Sequence, residues 1–255
     1  MKLSIAVATY NERGNIKDFV LNVKDIASEI IIVDGSSTDQ TAEIAKKLGA
    51  KLFKTTNKPI FHINKQLAID KTSSDWILQL DADERLNNAL KKEILETIKK
   101  KDVKDAYFLP RKNFFLGRFL KKGGQYPDYK LRLFKKDKAF LPCKSVHEEM
   151  TVTGTVGYLK NDLLHFTAPN FSRYLTNSNR YTDLTAREYL AKNIKIGCLT
   201  LFNYLFIKPS ILFLKIYLRH KGFQDGLPGF IFATFSALHV PISYIKYWQI
   251  KQQNI

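Results

Sequence analysis

The stretch "DWILQLDADERL", residues 75–86, is an apolar run that stops at three acids, Asp81, Asp83 and Glu84. "WILQL" (76–80) has the length of a buried strand, and its neighbours decide what kind of sheet it joins. "EIIIVD" (29–34) and "AKLF" (50–53) are similar compact runs, and Leu3, Ile5 and Val7 alternate with small residues. Between them lie helix-spaced positions: Ile16, Phe19, Val20 and Val23, then Thr41 to Leu48, then Ile63 to Ile69. Short apolar runs alternating with amphipathic helices predict a βαβ sheet with parallel strands. Such sheets bind ligands beyond the carboxyl ends of their strands. Asp81 and Asp83 therefore stand at the ligand edge.

Two carboxylates two positions apart, at a strand end followed by a turn, can face one cavity. Paired hard oxygens suit Mg²⁺ or Mn²⁺, which keep waters and take further ligands from substrate phosphates. The rival reading makes them turn or capping residues, with Glu84 opening a helix at roughly 87–100. Two further strand ends add context. "VATYNERGNI" (7–16) and "IVDGSSTDQTAEIA" (32–45) each run from a strand through a polar turn into a helix, the place of nucleotide contacts. Asp34 follows its strand directly and reads as a ligand contact, whereas Ser37, Thr38 and Asp39 read as helix caps. No GxGxxG follows either strand and no GxxxxGK occurs, which removes dinucleotide dehydrogenases and P-loop enzymes from consideration.

From 105 to 166 the texture changes to strand-like pieces, "AYFLP", "YKLRLF", "TVGYL" and "LLHF", and a helix is predicted from about Ser172. "LTLFNYLFIKPSILFLKIYL" (199–218) and "GLPGFIFATFSALHVPISYIKYW" (226–248) are strongly apolar and aromatic. Three readings stay open for them: an interfacial helix flanked by Lys, Arg, Tyr and Trp, a buried hairpin, or a true span. The net charge is +17, and it is lopsided: residues 1–104 carry 18 basic and 15 acidic side chains, residues 105–255 carry 23 and 9. A basic half implies an anionic partner: nucleic acid, phosphorylated substrate or acidic lipid. Cys143 and Cys198 are the only cysteines and form no CxxC pair, which fits a reducing compartment. No signal peptide is read at "MKLSIAVATYNE".

"TYNE", "VDGSSTDQT" and "LDADE", in this order, resemble the inverting family 2 glycosyltransferases of GT-A fold. "GGQYPDYKLRLF" (123–134), "VHEE" (146–149), "GYLKNDLLHF" (157–166) and "NRYTDLTAREY" (179–189) are similar to one subgroup, the bacterial lipopolysaccharide core glucosyltransferases that extend inner-core heptose. The resemblance implies an α/β GT-A nucleotide-diphospho-sugar transferase fold with a mostly parallel sheet. It implies a nucleotide-sugar-binding half at 1–104, an acceptor and catalytic-base half at 105–170, and a helical, membrane-associating extension at 171–255. By the same resemblance Thr9, Tyr10, Asn11, Glu12 and Asp34 hold the nucleotide, and Asp81 and Asp83 hold the ribose and the metal-bound diphosphate. Lys65 stands where the subgroup has Arg and so lacks the planar fork; a solvated helix lysine is the alternative. Arg132 is placed on diphosphate or acceptor phosphate, with a half-buried strand arginine as its rival.

Direct displacement of a nucleoside diphosphate needs a base for the acceptor hydroxyl. By resemblance Glu148 in "SVHEEM" (145–150) is that base, with Glu149 and Asp128 in reserve; on the residues alone Glu148 reads as a surface acid. His147 or His165 is a candidate third metal ligand, or a structural histidine. The implied donor is UDP-glucose, the metal Mg²⁺ or Mn²⁺, and the acceptor an anionic, lipid-linked saccharide. The implied place is the cytoplasmic face of a bacterial inner membrane. Two rivals are another acceptor, such as capsule or protein, and a nucleic-acid-binding protein. The last has no helix-turn-helix, zinc or RNP pattern behind it, so no nucleic acid is expected.

Overall fold

A computed structural model describes residues 1–144, 149–168 and 170–253. The predicted alternation is present from the start: β1 (Leu3–Thr9), α1 (Arg13–Val23), β2 (Glu29–Asp34), α2 (Thr41–Lys47), β3 (Lys51–Lys54), α3 (Phe61–Asp70) and β4 (Trp76–Gln79). A short β5 (Glu84–Leu86) and α4 (Asn88–Lys99) follow. Then come β6 (Ala106–Phe115), β7 (Arg118–Phe119), β8 (Asp128–Lys135), β9 (Ala139–Phe140), β10 (Thr151–Val152), β11 (Val156–Tyr158) and β12 (Leu163–Ala168). The main sheet has the order β3-β2-β1-β4-β8-β6-β12-β5, with β7 and β11 also on β6. Its β3-β2-β1-β4 half is parallel, and β8 joins β4 antiparallel.

The chain divides into two compact units, residues 1–111 with 129–165, and residues 112–128 with 166–255. In the first, alternate residues of each central strand face opposite cores. Leu3, Ile5, Val7, Ile32 and Leu78 meet Ile16, Phe19 and Val20 of α1 and Leu90, Ile94 and Ile98 of α4. Ala6, Val33 and Ile77 meet Ala68 and Ile69 of α3 on the other side. A sheet buried on both faces is why these strands read as continuous apolar runs. The spacing of Leu90, Ile94 and Ile98 gives α4 one apolar stripe, and Asn87 caps it by accepting the Leu90 N–H at 2.8 Å.

The second unit contains α5 (Phe171–Ala191), capped by Asn170, which accepts the Arg173 N–H at 2.9 Å. It also holds a helical run, Cys198–Arg219, and α8 (Gly226–Gln253). The run begins as α6 (Cys198–Phe202), widens into a π-helical turn at Asn203–Ile207, continues as α7 (Lys208–Leu214) and widens again at Lys215–Arg219. The first widening precedes Pro209, whose missing N–H and ring disrupt the bonding to the preceding turn. Ala186, Tyr204, Tyr244 and Tyr247 form the core between α5, the run and α8. Leu199, Phe206, Ile211, Leu214 and Leu218 of the run are exposed, so a wholly buried hairpin is not what the sequence encodes here.

Candidate active site

The end of β4 sets the site. β8 runs antiparallel to β4 with Leu78 opposite Leu133, so one step further along the ladder Arg132 lies across from Gln79. The Arg132 guanidinium donates to Gln79 Oε1, to Asp81 Oδ2 at 2.8 Å and to Glu84 Oε1 at 2.7 Å. Glu84 is fully buried and also takes Arg111 Nη1 at 3.5 Å and the Asp81 N–H at 2.9 Å. It begins β5 and not a helix. Lys65 of α3 closes on the other oxygen, Nζ to Asp81 Oδ1 at 2.5 Å, so it is a paired residue and not a solvated helix lysine. Burial alone would raise the Asp81 pKa, but Lys65 and Arg132 outweigh it and hold the carboxyl well below its usual range.

Asp83 has a different setting. β12 pairs antiparallel with β5, His165 opposite Glu84, and this brings His165 Nε2 to 3.4 Å from Asp83 Oδ2. Burial would push the Asp83 pKa up; the histidine outweighs it and the carboxyl stays ionised below its usual value. Asp83 is 28% exposed. With both Asp81 oxygens held by cations, Asp83 and His165 are the oxygen and imidazole donors that suit Mn²⁺ or Mg²⁺, ions that need few protein ligands when phosphates supply the rest. Among the described residues no three His, Cys, Asp or Glu side chains converge as a metal set.

The strand ends of β1 and β2 are tied into one turn structure. Thr9 and Asp34 are register partners, and Thr9 Oγ1 donates to Asp34 Oδ1 at 3.2 Å. Asp34 also accepts the Ser37 N–H at 2.9 Å and its hydroxyl at 2.6 Å. Asn11, at φ 54°, turns the chain out of β1. Its N–H donates to Ser37 Oγ at 2.9 Å, and its Oδ1 accepts the Thr38 N–H at 2.9 Å. Glu12 donates its N–H to Thr41 Oγ1 at 2.8 Å. Ser37 and Thr38 thus link the two turns; only Asp39 acts on the helix start, accepting the Thr41 N–H at 2.9 Å. Gly35 is needed for close approach: a Cβ there would lie 3.3 Å from the Asn57 Cα and from Asn64 Nδ2. Tyr10 is exposed beside this edge.

The expected base Glu148 and the expected ligand His147 lie outside the described residues. Glu149 is exposed, and Asp128, in the second unit, takes a long hydrogen bond from Asn113 Nδ2 at 3.3 Å. Sequence reasoning missed Arg111 and the anchoring part played by Glu84. Both depend on strand pairings tens of residues apart, and only the unusual acid just after "DAD" hinted at them.

The sequence matches the family described as Glycosyl transferase family 2 over residues 4–163. The lipopolysaccharide core biosynthesis glycosyltransferase LpsC of Rhizobium meliloti (strain 1021) is 27% identical over 260 residues, covering 98% of this chain and 93% of LpsC. An uncharacterized glycosyltransferase of Rickettsia prowazekii (strain Madrid E) is 26% identical over 274 residues, 100% of this chain and 90% of that protein. Among solved structures, the mannosyltransferase PcManGT from Pyrobaculum calidifontis, in complex with GDP-Man and Mn²⁺, superposes with a TM-score of 0.57 at 12% identity, covering 97% of this chain and 87% of that one. Residues 1–349 of S. aureus TarS in complex with UDP-GlcNAc give a TM-score of 0.52 at 17% identity, covering 94% and 82%. At such identities the likeness speaks for the fold alone.

Proposed function

The chain belongs to glycosyl transferase family 2, and from that premise we propose a metal-dependent, inverting transferase that moves glucose from UDP-glucose onto a heptose of a lipopolysaccharide inner core. It is a glycosyltransferase with the GT-A fold. The nucleotide-sugar donor is supported by the ligands named for PcManGT and TarS, and the core acceptor by the likeness to LpsC along nearly the whole chain. The cytoplasmic face of an inner membrane follows from that acceptor, which is anchored in lipid.

The observation that carries the reading is the division of labour at the end of β4: Asp81 neutralised by Lys65 and Arg132, Asp83 open beside His165. In the proposal Thr9, Tyr10, Asn11, Glu12 and Asp34 hold the nucleoside. Asp81 orients it while keeping Lys65 and Arg132 beside the diphosphate, a placement that matches cation to anion. Asp83, with His165 and His147, would hold Mn²⁺ or Mg²⁺, and the ion supplies charge neutralisation for the departing diphosphate. Glu148 takes the proton of the acceptor hydroxyl, with Glu149 and Asp128 held in reserve for that role.

Calorimetric titration with UDP-glucose, UDP-galactose and UDP, each with and without Mn²⁺, tests this. Metal-dependent binding strongest for UDP-glucose, and lost in Asp83→Ala, is the expected result. Equal binding without metal, or by Asp83→Ala, would remove the metal from the proposal.

A further inference from the structure

We infer that the Cys198–Arg219 run lies flat on an anionic lipid leaflet, seated by its exposed apolar side chains and held by a cationic rim shared with the 118–122 loop. The inference goes beyond the transfer chemistry and stands whichever donor or acceptor that chemistry uses.

The charge of this region is one-sided. Residues 199–255 contain six Lys and Arg and a single acid, Asp225. That acid is 2% exposed, and its carboxylate is consumed internally. It accepts the Lys121 N–H at 3.0 Å and the Lys122 N–H at 2.7 Å, with Arg118 Nη2 at 3.7 Å. The Gly123 N–H adds a bond to the His220 carbonyl at 2.9 Å. These bonds draw the 118–123 loop onto the turn between the run and α8. Arg118, Lys121 and Lys122 from the loop and Lys215, Arg219 and Lys221 from the turn region are all exposed, so one cationic rim is assembled from segments about a hundred residues apart. Leu214, Leu218 and Leu227 beside it are exposed as well, Leu227 by 68%. Exposed apolar side chains with a basic border are the pattern of a helix in the headgroup layer, where cations meet lipid phosphates and leucines meet the acyl boundary.

The same bonds argue against a span. The run has 22 residues, about 33 Å of helix, long enough to cross. Crossing would carry the turn at 220–225 to one side of the bilayer and the far ends to the other. Yet the turn is clasped to the loop by Asp225, and the far end of α8 is tied to polar α5, with Lys246 Nζ 2.6 Å from Asp183 Oδ1. Lys208 and Lys215 would also sit inside hydrocarbon. A flat orientation keeps every bond. The turn is rigid enough to act as a clasp: a Cβ on Gly229 would fall 2.1 Å from the Gly222 carbonyl oxygen, so the backbones are in direct contact there.

The test is sedimentation of the full chain with vesicles of phosphatidylcholine, alone or mixed with phosphatidylglycerol. Binding is expected to need phosphatidylglycerol, to weaken as NaCl rises, and to be released by alkaline carbonate. The triple variant Lys121→Gln/Lys122→Gln/Arg219→Gln, which keeps the backbone donors to Asp225, should lose at least about tenfold in partitioning. Leu214→Gln/Leu218→Gln should also lose binding to the phosphatidylglycerol vesicles while retaining the circular dichroism of the parent. Equal partitioning onto both lipids by the parent, resistance to carbonate, unchanged binding by the charge variant, or self-association without vesicle binding would each overturn the inference. If a variant fails to fold, the lipid, salt and carbonate dependence of the unaltered chain still decides.

Discussion

Arg132 allows Asp81 and Glu84 to share one end of β4. The residue is 7% exposed and its guanidinium bridges both carboxylates. Burial would lower its pKa, but Glu84 and Asp81 outweigh that and raise it, so its charge is permanent. Arg132→Met is therefore expected to leave buried Glu84 with the longer Arg111 contact as its cation beside the Asp81 N–H, at a cost of about 3 kcal/mol in urea unfolding. Arg132→Lys keeps the charge without the fork and should recover only part of that loss. The two aspartates should separate by experiment. Asp83→Asn is expected to leave the melting temperature within a few degrees of the parent while losing the Mn²⁺-dependent binding of UDP-glucose. Asp81→Asn instead leaves Lys65 and Arg132 facing a neutral amide and should lower the melting temperature itself. Equal thermal loss in both variants would contradict the division of labour. The sequence showed the acids because an apolar run ended on them. It could not show their counterions, because Arg111, Arg132 and His165 arrive on β6, β8 and β12.

At the scale of elements, the parallel half of the sheet was legible and the antiparallel half was not. Residues 29–34 and 76–80 read as buried strands because both faces of the sheet are covered, and the helix-spaced segments between them marked the strands as parallel. "YKLRLF" read as a strand, but nothing in it says that it pairs antiparallel with β4 or that its arginine faces Gln79. The edge opposite the site is closed by Glu29 at the start of β2. Its carboxylate accepts the Ser4 hydroxyl and the Ser73 N–H, both at 2.6 Å, and pairs with Lys51 at 2.7 Å. Burial would raise its pKa, but these partners outweigh it and bring it from 4.5 down to about 2. A folded pKa below the unfolded one gives stability that is full above the unfolded pKa and is lost as pH falls through the folded one. Glu29 should thus contribute up to about 3 kcal/mol at neutral pH, lost progressively between about pH 4.5 and 2. Glu29→Gln is expected to lower stability at pH 7 and to flatten this acid limb in urea titrations run across that range. An acid limb as steep as the parent's would assign the loss to other carboxylates.

For the whole molecule, the described apolar clusters each lie within one compact unit. Leu3 to Leu163 and Ala6 to Val152 contribute to the first unit; Phe115 to Phe232 and Tyr189 to Ile250 contribute to the second. The charge asymmetry was readable in composition, since residues 105–255 hold most of the basic excess. The division itself was not, because 112–128 belongs with a mainly helical unit that resumes only at Phe166, at the end of β12. A segment inserted between two strands of one unit leaves no mark in local spacing. Separate cores predict separate cooperative transitions. In the proposal the donor and Mn²⁺ contact residues such as Asp34, Lys65, Asp81 and Asp83, all of the first unit. A ligand that binds only the native form of one unit raises that unit's stability by about 2.7 kcal/mol at a hundredfold excess over its Kd. Differential scanning calorimetry with saturating UDP-glucose and Mn²⁺ is therefore expected to move one transition upward and leave a second in place. The Asp83→Asn variant should lose that shift. Anionic vesicles should act on the transition that the donor leaves unmoved, since Lys121, Lys122 and Arg219 all belong to the second unit. A single transition that both ligands shift as a whole would mean that the two cores unfold as one.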